Sequence, residues 1–151
     1  MSEDYSSLFL KHHLAGDYQK AIEAFEQVLK ANPKDVRVLF QIGNVHSLIG
    51  KDKKAAVAAY SRVLKIDPSH ASSRFNRGRC YQEIGEFKKA LRDFNTSMKS
   101  EDSSDHRRFR GACHFQLKDF KRAAVDFNKA IEYLDEEIRL RRDWPTESKP
   151  S

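Results

Sequence analysis

SSRFNRGRCYQEIGEFKKALRDFN (Ser72–Asn95) and DHRRFRGACHFQLKDFKRAAVDFN (Asp105–Asn128) are two versions of one sentence, written 33 residues apart. Arg77-Gly78 answers Arg110-Gly111, Cys80 answers Cys113, Phe87-Lys88 answers Phe120-Lys121, and Ala90 and Phe94 answer Ala123 and Phe127. Self-similarity at a fixed period is the mark of a repeat architecture and takes precedence over any other reading.

Working outward, LAGDYQKAIEAFEQVLKANP (Leu14–Pro33) and LIGKDKKAAVAAYSRVLKIDP (Leu48–Pro68) fall into the same columns. Gly16, Gly50 and Gly85 share a column that holds Lys118 in the fourth copy. Ala21, Ala56, Ala90 and Ala123 each stand four residues ahead of Phe25, Tyr60, Phe94 and Phe127. Pro33 and Pro68 close the first two copies, and Asp102 and Asp135 replace them in the others; one extra residue sits at the turn after Gly50.

Each copy reads as two helices. The first carries Gly43, Gly78 or Gly111 in its middle, where a missing side chain lets a second helix approach, against a propensity cost of about 1 kcal/mol. The turn glycine ends it. The second helix buries the alanine and the aromatic on one stripe, because residues four apart are neighbours on a helix. A lone hairpin cannot cover its own apolar stripe, so stacked hairpins must supply the core.

The pattern resembles the tetratricopeptide repeat, over about residues 2–137, as four repeats at roughly 2–35, 36–70, 71–103 and 104–137. The resemblance implies an all-α, right-handed α-α superhelix of four helical hairpins with a C-terminal capping helix, forming one domain over 1–144. Phe9 departs from the family pattern, standing where a small residue belongs. So do Arg74 and Arg107, which stand in a usual aromatic column. Ile131, Leu134 and Ile138 keep helical spacing, so the last helix is expected to run to about Asp143 as a solvating cap. Trp144 is placed to fold back over the final repeat, and 145–151 reads as a flexible tail.

Composition points the same way. A third of the 151 residues are charged, with only six glycines and four prolines. The net charge of +6 is mild and mixed with acids, unlike the dense basic face of a dedicated nucleic-acid binder. The amino terminus has the look of neither a secretory signal nor a mitochondrial presequence. No apolar stretch reaches the length of a membrane span, so membrane insertion is not expected. Cys80 and Cys113, in one column of neighbouring repeats, read as small buried residues of a reducing, cytoplasmic setting.

Chemistry is sparse. His12, His46 and His114 share the column of Tyr81, each a repeat apart and too distant to share a tetrahedral metal ion. No nucleophile elbow, phosphate-binding glycine loop or Cys-x-x-Cys pair is present. Asp93 and Asp126 recur in one column, as solvated or paired helix residues would. Neither catalysis nor a cofactor nor a metal is expected.

Binding remains. The resemblance implies a concave groove lined by the first helices. By column this assigns it Arg37, Phe40, Gln41 and Asn44; Phe75, Asn76, Arg79 and Gln82; and Arg108, Phe109 and Ala112, with Ser6, Leu10 and His13 from the first repeat. Phenylalanines offer contact area at low entropy cost and guanidinium groups pair with carboxylates. The expected partner is therefore a protein or peptide segment with acidic and apolar residues, held by an adaptor that is a monomer or a subunit of a larger complex. A co-chaperone clamp for acidic chaperone tails matches at Asn44 and Asn76 but has Phe40, Asp105 and Phe109 in its cationic columns. RNA binding would use a ridge of Arg74, Arg77, Arg79, Arg107, Arg108 and Arg110.

Overall fold

A computed structural model of the protein describes residues 18–49 and 51–142. The first helix expected for the first repeat (with Ser6, Phe9, Leu10, His12 and His13), the turn residues Gly16 and Gly50, and the tail with Trp144 lie outside the described residues.

The described chain is entirely helical: α1 (Tyr18–Ala31), α2 (Val36–Asn44, continued as a π turn over Val45–Ile49), α3 (Lys53–Ile66), α4 (Ala71–Glu83), α5 (Phe87–Ser97), α6 (Ser104–Gln116) and α7 (Phe120–Arg142). Capping residues start several of them. Asp35 accepts hydrogen bonds from the backbone N–H groups of Arg37 and Val38, Asp52 from that of Ala55, and Asp119 from that of Arg122. These bonds satisfy donors that have no partner within the helix. α1 stops two residues before Pro33 and α3 two before Pro68.

The three described hairpin turns close with an equivalent backbone bond. The N–H of Glu86 reaches the carbonyl of Tyr81, that of Asp119 the carbonyl of His114, and that of Asp52 the carbonyl of His46. The last bond spans one residue more. The extra residue of the second repeat is absorbed there by the wider π turn and by Lys51, which adopts φ 51°. In the glycine column Gly85 has φ 83° and Lys118 copies it at φ 61°.

Packing alternates within and between hairpins: α2 on α3, α4 on α5 and α6 on α7, with α3 on α4 and α5 on α6 as the stacking contacts. The mid-helix glycines work as the sequence suggests. A Cβ on Gly43 would stand 2.5 Å from the Tyr60 ring, and on Gly78 and Gly111 2.9 Å from the rings of Phe94 and Phe127. The glycine of one helix is thus the seat for the aromatic of the next. The largest buried cluster joins Phe25 and Leu29 to Val38, Leu39, Ile42, Val45, Ala59 and Val63, and smaller ones surround Tyr60 with Cys80 and Phe94 with Cys113. Both cysteines are free and fully buried. Burial pushes the Cys80 thiol up, and that of Cys113 up to about 12.

α7 is one unbroken helix to Arg142, and on it Ile131, Leu134 and Ile138 are 55%, 45% and 63% exposed. Of the two readings of Asp93 and Asp126, solvated or paired, the paired one holds: both are buried, and arginines of the preceding helix grip them.

Candidate interaction groove

The first helices α2, α4 and α6 carry the residues assigned to the groove, and several meet across hairpin boundaries. The Asn76 side-chain amide donates to Oδ1 of Asn44 at 3.3 Å, and the Gln82 amide donates to the carbonyl of Phe109 at 3.3 Å. Asn44 is further occupied: its Oδ1 accepts from the Tyr60 hydroxyl at 2.7 Å and its amide donates to Gln41 at 3.2 Å. Tyr60 was absent from the assignment because its column reads as core. It is core, and burial raises its phenol pKa above the ordinary value.

The phenylalanines are half-buried and serve the stacking of hairpins first. Phe40 lies between Tyr60 and His70, with ring centres at 5.9 and 5.1 Å. Phe75 touches Phe94, Phe109 and His106, the last at 4.2 Å. Their free edges, with Ser72, Asn76, Glu101, Asp105 and His106, line an open depression of about 360 Å³. His106 is 4% exposed, and its Nδ1 is 2.9 Å from the Ser103 hydroxyl. Desolvation lowers its pKa from 6.5, against the nearby carboxylates of Glu101, Asp102 and Asp105. Sequence reading missed this residue because its column holds Val38 and Ser73 in the earlier repeats.

Charge collects beside the depression. The Phe109 ring carries two guanidinium groups, Arg79 at 4.9 Å and Arg108 at 4.4 Å from its centre. Arg108 is exposed and pairs with Asp105 at 2.8 Å. Nε of Arg79 is buried without a hydrogen-bond partner. Arg37 is exposed and lies 3.7 Å from Asp35, and Ala112 is half-buried on α6.

The other arginines of the proposed RNA ridge face inward. Arg77 grips Asp93 with two bonds of 2.8 Å and donates to Ser61 at 3.0 Å; Arg74 lies 4.0 Å from the same carboxylate. One repeat later Arg110 grips Asp126 at 2.8 and 2.6 Å and donates to Asn95 at 2.9 Å, while Arg107 bridges Asp126 and Asp102. These contacts hold the guanidinium pKa values of Arg77 and Arg107 above their ordinary value. Arg79 and Arg108 alone remain of the six, so the ridge is not one surface. Among the described residues no group of three histidine, cysteine or carboxylate side chains could hold a metal ion, and no helix is long and apolar enough to cross a membrane.

The sequence matches the family description "Tetratricopeptide repeat" over residues 42–109 and again over residues 12–35. The chain belongs to the tetratricopeptide-repeat family. Its fold is an all-α repeat solenoid, similar to that of MamA (41-end) from Desulfovibrio magneticus RS-1, with TM-score 0.77 at 23% identity over 88% of this chain and 77% of that one. A tetratricopeptide repeat protein from Parabacteroides merdae ATCC 43184 is similar at 27% identity and TM-score 0.74, over 85% of this chain and 52% of that one. This chain therefore spans about half of the latter. A search among curated proteins gives no match. Membership supports a general role as a protein-interaction adaptor or scaffold.

Proposed function

We propose that this tetratricopeptide-repeat protein holds an extended segment of a partner protein along α2, α4 and α6, and that the segment pairs apolar side chains with carboxylates. The observation that carries the reading is the Phe109 ring with guanidinium groups of Arg79 and Arg108 against it. Guanidinium recognises carboxylate in a planar, bidentate fashion. The Arg108–Asp105 pair is exposed and of the kind that contributes at most about 1 kcal/mol, so a ligand carboxylate can displace it. Phe40 and Phe75 then offer their edges to apolar side chains in the adjoining depression.

The acidic tail clamp of the co-chaperones is a weaker fit, since Asn44 is occupied by Tyr60, Gln41 and Asn76. Selection from a random peptide library tests the reading. The wild-type chain is expected to enrich acidic-apolar sequences, and Arg79→Glu/Arg108→Glu to lose them with an unchanged helical circular dichroism spectrum. Lys54→Glu/Lys89→Glu, on the second helices α3 and α5, is the matched control and is expected to retain them. Equal loss in both variants would point to long-range electrostatics or the outer face and refute the groove.

A further inference from the structure

The last described helix carries an apolar seam that nothing else in the described chain covers. In the third hairpin Phe87, Leu91 and Phe94 of α5 pack against α6 residues Phe109 and Cys113. The same columns in the fourth hairpin are Phe120, Ala124 and Phe127 of α7, and among the described residues no later helix follows. Phe120 is 58% exposed, with Phe115 packed edge-on against it at 5.4 Å. α7 then runs beyond the point where α5 stops, and Ile131, Leu134 and Ile138 prolong the stripe. The positions 120, 124, 127, 131, 134 and 138 alternate steps of four and three, the seam spacing of helices that pair along their length. At 1.5 Å per residue the seam is about 27 Å long.

We propose that a second copy of the chain covers this seam, its α7 lying antiparallel to the first across a two-fold axis near Phe127–Ile131. That register sets Phe127 against Ile131 of the second copy, Ala124 against Leu134, and Phe120 against Ile138. The one small residue, Ala124, thus meets a large one, and all six positions are filled from both sides. Charge selects the same register. The residues beside the seam, away from α6, are Lys121, Asn128 and Asp135. All are exposed, and neither Lys121 nor Asp135 has an ion pair among the described residues. Antiparallel pairing about the axis brings Asn128 against its own copy and Lys121 against Asp135, twice. A sequence that is self-complementary in both shape and charge suits an isologous interface, where one patch serves both partners. Six seam residues are fewer than the roughly 20 to 30 per side of a standard interface, so the dimer is reversible and dissociates on dilution.

Sedimentation equilibrium of the full chain over a wide concentration range tests this. The expected mass rises with concentration from the 17.5 kDa of one chain towards twice that value. Lys121→Asp sets carboxylates against each other on both sides of the axis and weakens the dimer about tenfold or more. Adding Asp135→Lys to it restores the dimer. Ile131→Asp, at an exposed position, abolishes it and leaves the melting temperature of the monomer unchanged. A monomer at every concentration, or a dimer indifferent to Ile131→Asp and to charge reversal, overturns the proposal. If the monomer instead shows Trp144 fluorescence that shifts on Ile131→Asp, the seam belongs to the chain's own residues 143–151, which overturns it too.

Discussion

The second hairpin and the two that follow it solve one packing problem with opposite chemistries. Between α2 and α3 the facing columns hold Leu39, Ile42 and Ala59, which are 0%, 7% and 5% exposed within the largest apolar cluster. In the third hairpin the same columns are Arg74, Arg77 and Asp93, and in the fourth Arg107, Arg110 and Asp126. The aspartates are as buried as the alanine they replace. Apolar burial is non-directional and tolerates small shifts. A buried carboxylate held by one guanidinium fork and a second arginine permits one geometry, and it stabilises only while every partner is present, because desolvation consumes most of its Coulomb energy. The arginines also donate backwards, to Ser61 and Asn95 of the preceding hairpin, so the polar version ties neighbouring repeats in register.

Breaking one member of the polar set gives the largest expected effect. Arg110→Ile leaves Asp126 buried beside a single guanidinium, and chemical denaturation is expected to show a loss of about 3 to 5 kcal/mol. Installing the whole set of the second hairpin, Arg107→Leu/Arg110→Ile/Asp126→Ala, is expected to recover most or all of that loss. A triple variant no more stable than Arg110→Ile would show that the two hairpins are not equivalent solutions.

Histidine sharpens the contrast at intermediate size. Burial lowers the pKa of both His106 and His114 from 6.5, although the nearby carboxylates pull the other way. The unfolded chain therefore takes up protons before the folded one, and stability that is complete above about pH 6.5 falls as the pH drops towards the folded values. The earlier repeats supply the replacements, Val38 for His106 and Tyr81 for His114. His106→Val/His114→Tyr is expected to flatten the decline in melting temperature below pH 6.5. An unchanged slope would place the acid sensitivity elsewhere.

The smallest effect concerns the turns. Lys118 holds φ 61° in the column where Gly85 holds φ 83° with open space around it. Lys118→Gly relieves a left-handed backbone worth about 1 kcal/mol and is expected to raise the melting temperature by a few degrees. No change would mean that the freedom glycine gains on unfolding cancels the relief.

The repeat period, the helix-turn-helix unit, the mid-helix glycines and the aromatic column were all legible in the sequence. Each follows from a local rule: helical spacing, the missing Cβ, or the fixed φ of proline. Columns also set the candidate groove residues on the three first helices α2, α4 and α6. They did not say which arginines face out, because Arg77 and Arg79 look alike in a chain and differ only in whether an aspartate sixteen residues on, Asp93, lies within reach. His106 hid for a similar reason: a column holding valine, serine and histidine has no signature until Phe75 stacks on its ring. The extended α7 seam had its spacing in plain view, yet spacing alone reads equally as core or cap. By itself the sequence determined the fold, since a repeated pattern constrains every hairpin at once and errors in one copy are corrected by the others. Tertiary structure alone decided which polar groups are buried and which apolar ones are bare, because burial depends on what the next helix brings. After α7 the described chain has no next helix.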